Sequence, residues 1–231
     1  MPTAITLTAP ASFTNPILKP LPAISGLQMW TYFGTDLAHS PNAGSAGALL
    51  PGAGSVAWAP NYVSCKGSAG DLLLPTITQA TSETWMCVCR YTGGGTGGAF
   101  AQLKAPTTGF GALVSMGSTA LVFQGTGFAS PQNLVINGTP FHFYAMTCTP
   151  GGSVIFYDLS LGTQITVATG TLTPGSPTQV GIGGPYPATA NDRGSDLAWM
   201  ALATSVMTLA AIQQTYAHVK DALAARGIPG V

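Results

Sequence analysis

Apolar residues recur along this chain in short runs, and Gly, Pro, Ser and Thr fill the gaps between them from Leu27 to Val206. LQMWTYF (27–33) opens the rhythm, and SVAWAPNYVSC (55–65), GDLLLPTI (70–77) and ETWMCVCRYT (83–92) continue it. In the last of these, alternation puts Trp85, Cys87 and Cys89 on one face and Met86, Val88 and Arg90 on the other, as a β-strand requires. AFAQL (99–103), FGALVSM (110–116), ALVFQG (120–125), TQVGIGG (178–184) and SDLAWMALATSV (195–206) are further strand candidates. In NLVINGTPFHFYAMTCT (133–149) the Asn137-Gly138 pair predicts a two-residue hairpin turn. SVIFYDLSLGTQITVATG (153–170) predicts a second hairpin turning between Asp158 and Gly162. Residues 34–54 and 93–98 are dense in turn formers and read as irregular connections. About a dozen short strands at this spacing predict an all-β fold, a two-sheet antiparallel β-sandwich or jelly roll.

The period changes after Val206. Leu209, Ile212, Tyr216, Val219 and Leu223 follow one another at helical spacing and form one apolar stripe, with Gln213, His218, Lys220 and Asp221 off it. Thr208 supplies an N-cap, Gly227 ends the helix, and Arg226 lies near the C-terminal end of the dipole. The spacing therefore predicts a closing helix over 208–226, covering an edge or end of the sandwich. The apolar stretch between Asp196 and His218 is broken by Thr204, Ser205, Thr208, Gln213 and Gln214, and no membrane span is expected there.

Composition narrows the partners. Charged residues make up 6% of the chain, against about a quarter in an average soluble domain. The seven basic residues balance seven acidic ones, so no field exists to draw nucleic acid or an anionic membrane. With 46% hydrophobic residues, hiding surface in an assembly is the expected route to solubility, and a homo-oligomer is the simplest form. Residues 1–26 hold Pro2, Pro10, Pro16, Pro20 and Pro22, which suits an extended arm that docks on a partner, with the sandwich over 27–231. The arm lacks a basic n-region and a continuous apolar core, so no secretory signal is expected. Cys65, Cys87, Cys89 and Cys148 read as buried thiols of a protein assembled in a reducing cytoplasm; a bridge from Cys87 or Cys89 to Cys148 is the alternative.

Three stretches carry a family resemblance: TSETWMCVCRYTG, PFHFYAMTCTPGGSVIFYDLSLGTQI, and TQVGIGG followed by GSDLAWMALATSVMTLAAIQQTYAHVKDALAARGI. Their order resembles the concanavalin A-like lectin/glucanase superfamily in its laminin G-like form, as found in bacteriophage tail and virion proteins, over roughly residues 27–228. The resemblance implies a tail fibre, tail tip or capsid decoration localised to the virion, with other virion subunits and a cell-surface glycan as partners. The family's acidic residues in the penultimate strand and first helical turn have no counterpart in LAWMALATSVMTLAAIQQ.

Chemistry adds little. A glycosidase needs two carboxyl groups flanking one bond, yet Glu83 is the only glutamate, and Asp192 and Asp196 sit beside Arg193 in what reads as a solvated loop. His142 and Cys148 lie on one strand, some 20 Å apart at about 3.3 Å per residue, too far for a nucleophile and its base. His39, His142 and His218 lack metal-ligand spacing, and oxygens of Asp36, Asn42 or Asp192 are the only calcium candidates the resemblance offers. No catalytic residue, metal or cofactor is expected. The densest polar group is GGPYPATANDRGS, so Tyr186, Asn191, Asp192 and Arg193 are the expected ligand-binding residues. The expected function is non-enzymatic adhesion to carbohydrate, with purely structural assembly as the alternative and a glycoside hydrolase a distant third.

Overall fold

A computed structural model describes residues 23–54, 56–66, 70–77, 80–93, 98–104, 110–125, 132–170, 178–183 and 194–231. Most of the arm (1–22), residues 94–97 of the Gly-rich connection and the loop 184–193 lie outside them. In chain order come β1 (Leu27–Tyr32), β2 (Leu50–Gly54), β3 (Ala57–Trp58), β4 (Val63–Lys66), β5 (Gly70–Ile77), β6 (Glu83–Gly93), β7 (Gly98–Lys104) and β8 (Phe110–Met116). Then follow β9 (Ala120–Gly125), β10 (Gln132–Val135), β11 (His142–Cys148), β12 (Gly152–Asp158), β13 (Thr163–Gly170), β14 (Thr178–Ile182), β15 (Gly194–Ala203) and α1 (Leu209–Ala225). One sheet runs β13-β12-β11-β6-β15-β4-β3 with β1 also beside β15; the other runs β10-β9-β8-β7-β14-β5-β2. Pairings among the described residues are antiparallel. This is the all-β, two-sheet sandwich with a C-terminal helix that the alternation predicts.

Two apolar layers hold it together. Trp85, Cys87, Cys89, Phe156, Met200 and Leu202 of the first sheet meet Met116, Leu121, Val180 and Ile182 of the second. On the first sheet's other face, Met86, Val88, Phe143, Ala198, Trp199 and Ala201 lie under Ile212, Val219 and Leu223 of α1. The strand alternation read in Trp85–Arg90 is thus correct, and both of its faces are apolar because both are covered. β15 is buried along its whole length, so the apolar stretch between Asp196 and His218 divides into an interior strand and the first part of α1; among the described residues, no helix is long and apolar enough to cross a membrane.

The helix begins and ends as its sequence predicts. Thr208 has extended dihedrals and accepts a hydrogen bond from the Ala211 amide at 3.2 Å. Gly227 adopts φ +83°, and the Gly227 and Ile228 amides donate back to Ala224 and Leu223 carbonyls at 3.1 and 2.9 Å, a Schellman closure. Two expectations need correction. Leu209 is 38% exposed, and the buried face of α1 is Ile212, Thr215, Val219, Ala222 and Leu223. Arg226 is the C-cap and not a last-turn residue; its guanidinium donates to the Phe33 carbonyl at 2.5 Å and lies 5.5 Å from the Tyr32 ring centroid, tying the helix end to β1.

Two other expectations also fail, and one alternative is set aside. Asn137-Gly138 is not a hairpin turn, since β10 pairs with β9 and β11 with β6 and β12. The segment crosses between sheets, with the Gly138 amide donating to Ser118 and its carbonyl accepting from Tyr91 at 2.9 and 2.6 Å. A Cβ on Gly138 would meet the Gly117 carbonyl oxygen at 2.5 Å, so the glycine serves close approach rather than a left-handed turn. Residues 50–54, expected as loop, pair with β5. Cys148 lies opposite Glu83, at the far end of β6 from Cys89 opposite His142, which sets aside the bridge; all four cysteines are buried thiols outside any disulfide, as expected. The hairpin at 158–162 forms as predicted, with Asp158 opposite Thr163.

Truncating Leu223, fully buried beneath α1, to alanine removes its contacts with the sheet. Leu223→Ala is expected to lower unfolding free energy by about 2–5 kcal/mol, and Thr208→Ala by about 1 kcal/mol, as read by urea denaturation. A Leu223→Ala loss within about 0.5 kcal/mol would contradict the packing described.

Candidate functional site

Folding builds one constellation that spacing along the chain did not reveal. Register places Cys89 opposite His142 and Tyr144 opposite Asp158. His142 Nδ1 and Asp158 Oδ2 are 2.8 Å apart, and Asp158 Oδ1 accepts from the Leu161 amide at 3.1 Å. Cys89 Sγ lies 3.5 Å from Cys87 Sγ and 3.6 Å from Met116 Sδ. Cysteine, histidine and aspartate side by side are the parts of a nucleophilic site, but the environment disarms them. Burial, then the neighbouring Cys87 and Asp158, push the Cys89 thiol well above its ordinary value. A thiol kept protonated and sealed from solvent is not a nucleophile. Cys148, the partner considered from sequence, is not part of this cluster.

Asp196 departs from its expected loop. It is a buried residue of β15, and its Oδ2 receives Arg90 Nε at 2.8 Å and a second guanidinium nitrogen at 2.7 Å. The same guanidinium lies 4.6 Å from the Phe141 and 5.4 Å from the Tyr62 ring centroid. Asp36 and Asn42 are also committed. Asp36 caps its own turn through the His39 amide and ring, at 2.9 and 2.8 Å. Asn42 accepts from the Trp30 and Gly44 amides and donates to Gln28 and Gly47 carbonyls. Both side chains organise the loop after β1, and among the described residues no group of three or more metal-ligating side chains forms.

An open cleft of about 220 Å³ lies where the β12–β13 hairpin meets the first half of α1. Tyr157, Leu159, Gly162, Thr163 and Gln164 line it from the hairpin, and Leu209, Gln213 and Tyr216 from the helix. Tyr157 and Gln164 face each other across the hairpin register, so both project from the helix-covered face. Leu209, Gln213 and Tyr216 stand at i, i+4 and i+7, one line along the helix. Tyr216 is fixed from several sides. Its ring meets Phe143 edge-on at 5.3 Å, its hydroxyl donates to the Val231 carbonyl at 2.9 Å, and Lys220 donates to that hydroxyl at 3.2 Å. The cleft combines held aromatic rings with exposed amides, the mixture that orients a small polar ligand.

The expected ligand loop of Tyr186, Asn191, Asp192 and Arg193 lies outside the described residues. The cleft residues went unread because Leu209 and Tyr216 belong to the apolar stripe and Gln213 to the adjacent polar face. Only the hairpin packed against them turns that boundary into a wall. An amide three residues before a stripe tyrosine is the one signal the sequence held.

The fold defines an all-β sandwich closed by a helix, and its likeness to solved structures is specific to that architecture. The binding domain of botulinum neurotoxin DC in complex with SialylT superposes with TM-score 0.57 at 11% identity, covering 84% of this chain and 51% of that one. The same toxin domain in complex with rat synaptotagmin II gives 0.59 at 13% identity, with 84% and 51% covered. Trypanosoma rangeli sialidase in complex with sialic acid gives 0.59 at 12%, covering 81% of this chain and 32% of the sialidase. The chain therefore spans about half of the toxin binding domains it matches. No family model matches the chain, and neither does any curated protein.

Glu83, the lone glutamate, is fully buried at the start of β6. Its Oε2 accepts from Trp85 Nε1 at 2.9 Å and its Oε1 from the Ala80 amide at 3.4 Å. Burial outweighs these bonds and raises its pKa from 4.5 to about 8. The folded state thus prefers the neutral acid: its contribution is whole below about pH 4.5 and is lost as pH rises through about 8. Wild-type stability should fall across that window by on the order of a few kcal/mol, and Glu83→Gln should flatten the slope. Thermal denaturation between these pH values checks it; parallel profiles for the two proteins would refute it.

Proposed function

We propose that this chain is a non-enzymatic carbohydrate-binding protein whose glycan contact is the cleft between the β12–β13 hairpin and α1. The observation that carries the reading is the cleft's lining: two tyrosines and two leucines beside the amides of Gln164 and Gln213. Aromatic and aliphatic surface suits the C–H face of a sugar ring, while amides both donate to and accept from hydroxyl groups. The similar toxin and sialidase structures are complexes with SialylT and sialic acid, which supports a carbohydrate ligand for this architecture. The protonated Cys89 thiol and the salt-bridged Asp196 support a role without catalysis.

In its finer form, the reading is a concanavalin A-like, laminin G-like domain of a bacteriophage virion, in a tail fibre, tail tip or capsid decoration assembled in the host cytoplasm. Composition and the order of elements support it. The exposure of Leu50, Val135, Leu161 and Val206 favours contacts with further subunits, and a homo-oligomer is the form proposed. These side chains equally favour the second reading, a structural subunit with no glycan ligand.

A glycan array probed with the full chain separates the two readings: hits are expected, and a blank array would leave only the structural one. The double variant Gln164→Ala, Gln213→Ala should weaken binding about tenfold or more, since each amide contact is worth about 0.5–1.5 kcal/mol. Both residues are exposed, so the fold should survive. Light scattering after size exclusion is expected to give a mass above one 23.4 kDa chain; a stable monomer would remove the oligomer.

A further inference from the structure

Resting on the carbohydrate reading above, we infer that the cleft selects a single neutral hexopyranose and rejects sialylated or otherwise acidic sugars. None of the eight described residues that line it carries a charge. Recognition of a carboxylate calls for charge-assisted donors, typically arginine or backbone amides at a helix start. Here the amide of Ala211, in the first turn of α1, is already bonded to the Thr208 hydroxyl.

The described charged groups close to the cleft, Lys220 and Asp158, each already have a partner. Lys220 donates to the Tyr216 hydroxyl at 3.2 Å, and its ammonium lies 5.3 Å from that ring's centroid. Asp158, at the end of β12, is fully buried and spends one oxygen on His142 and the other on the Leu161 amide. It faces the sandwich core rather than the cleft, where it would otherwise have repelled an acid or bound a cation. The Tyr216 hydroxyl both donates, to Val231, and accepts, from Lys220. What Tyr216 offers a ligand is therefore its ring.

Polar recognition falls to Gln164 on the hairpin and Gln213 on the helix, on opposing walls. Each amide has a carbonyl acceptor and two N–H donors, which matches hydroxyl groups that are themselves donors and acceptors. A carboxylate only accepts, so it can use the amide N–H donors but gives the amide oxygens nothing in return, whereas a hydroxyl satisfies both. Size gives the second limit. About 220 Å³ falls below the roughly 300–1,000 Å³ of sites that enclose drug-sized ligands, so one ring fits, with any attached chain in solvent.

The test is an amide-detected NMR titration of the full chain with methyl β-galactoside, methyl α-glucoside and the methyl glycoside of N-acetylneuraminic acid. The neutral sugars are expected to shift the side-chain amide signals of Gln164 and Gln213, with the acidic sugar at least tenfold weaker. Neutral binding should also be flat between about 0.05 and about 0.5 M salt, where an ionic contact would weaken. Cleft shifts caused by the acidic sugar alone, or binding that falls steeply with salt, would overturn the neutral selection and leave the carbohydrate reading standing. Sugar-dependent shifts confined to residues away from the cleft would overturn this site while keeping the chain a carbohydrate binder. No shift with any of the three, together with a blank glycan array, would sink both.

Discussion

Met86, Val88, Phe143, Trp199 and Ala201 make the outer face of the first sheet apolar, and that face has to be covered. An uncovered surface of this kind would be a large apolar patch beside strands already buried on their inner face. α1 is the cover, and its placement governs much else. Trp199 stacks on Phe143 at 5.4 Å and meets Trp30 edge-on at 4.9 Å, giving Ile212, Val219 and Leu223 a continuous floor. Arg226 then ties the helix end to Phe33, so α1 is held by packing along its length and by a hydrogen bond at its end.

The inner layer shows the other constraint, that buried polar groups need partners. His142, Asp158 and Glu83 each find one within the sandwich, and the hairpin turn after β12 is fixed by the same Asp158 that holds His142. Grouping of this kind imitates an active site in composition. Its environment is the opposite of one, because the thiol is protonated and the carboxylate serves a turn. Chemistry is decided by solvation and access here, not by which residues meet.

The cleft sits at the margin of the helix's cover. It lies where the first half of α1 meets the hairpin, with Leu209 exposed and Gln164 and Gln213 both in the lining. The apolar stripe therefore does two jobs: Ile212, Val219 and Leu223 close the fold, while Leu209 and one side of Tyr216 face the opening.

Alternation and helical spacing determined the all-β class, most strands, the 158–162 hairpin and both helix caps, because each rests on contacts between near neighbours in the chain. They also determined that Cys87 and Cys89 point the same way. What they could not determine was pairing. Asn137-Gly138 carries a hairpin signature, yet its two flanking strands belong to different sheets, since the partners of each lie elsewhere in the chain. Strict alternation would also put Leu197 with Trp199, but an irregularity in β15 sends Leu197 into the sandwich core while Ala198 and Trp199 both face the helix. The pairing of His142 with Asp158, the burial that raises the Glu83 pKa, and the placing of Gln164 and Gln213 in one cleft come from residues far apart in sequence. Only the tertiary structure decides those, because burial and proximity are properties of the packed chain and leave no period behind them.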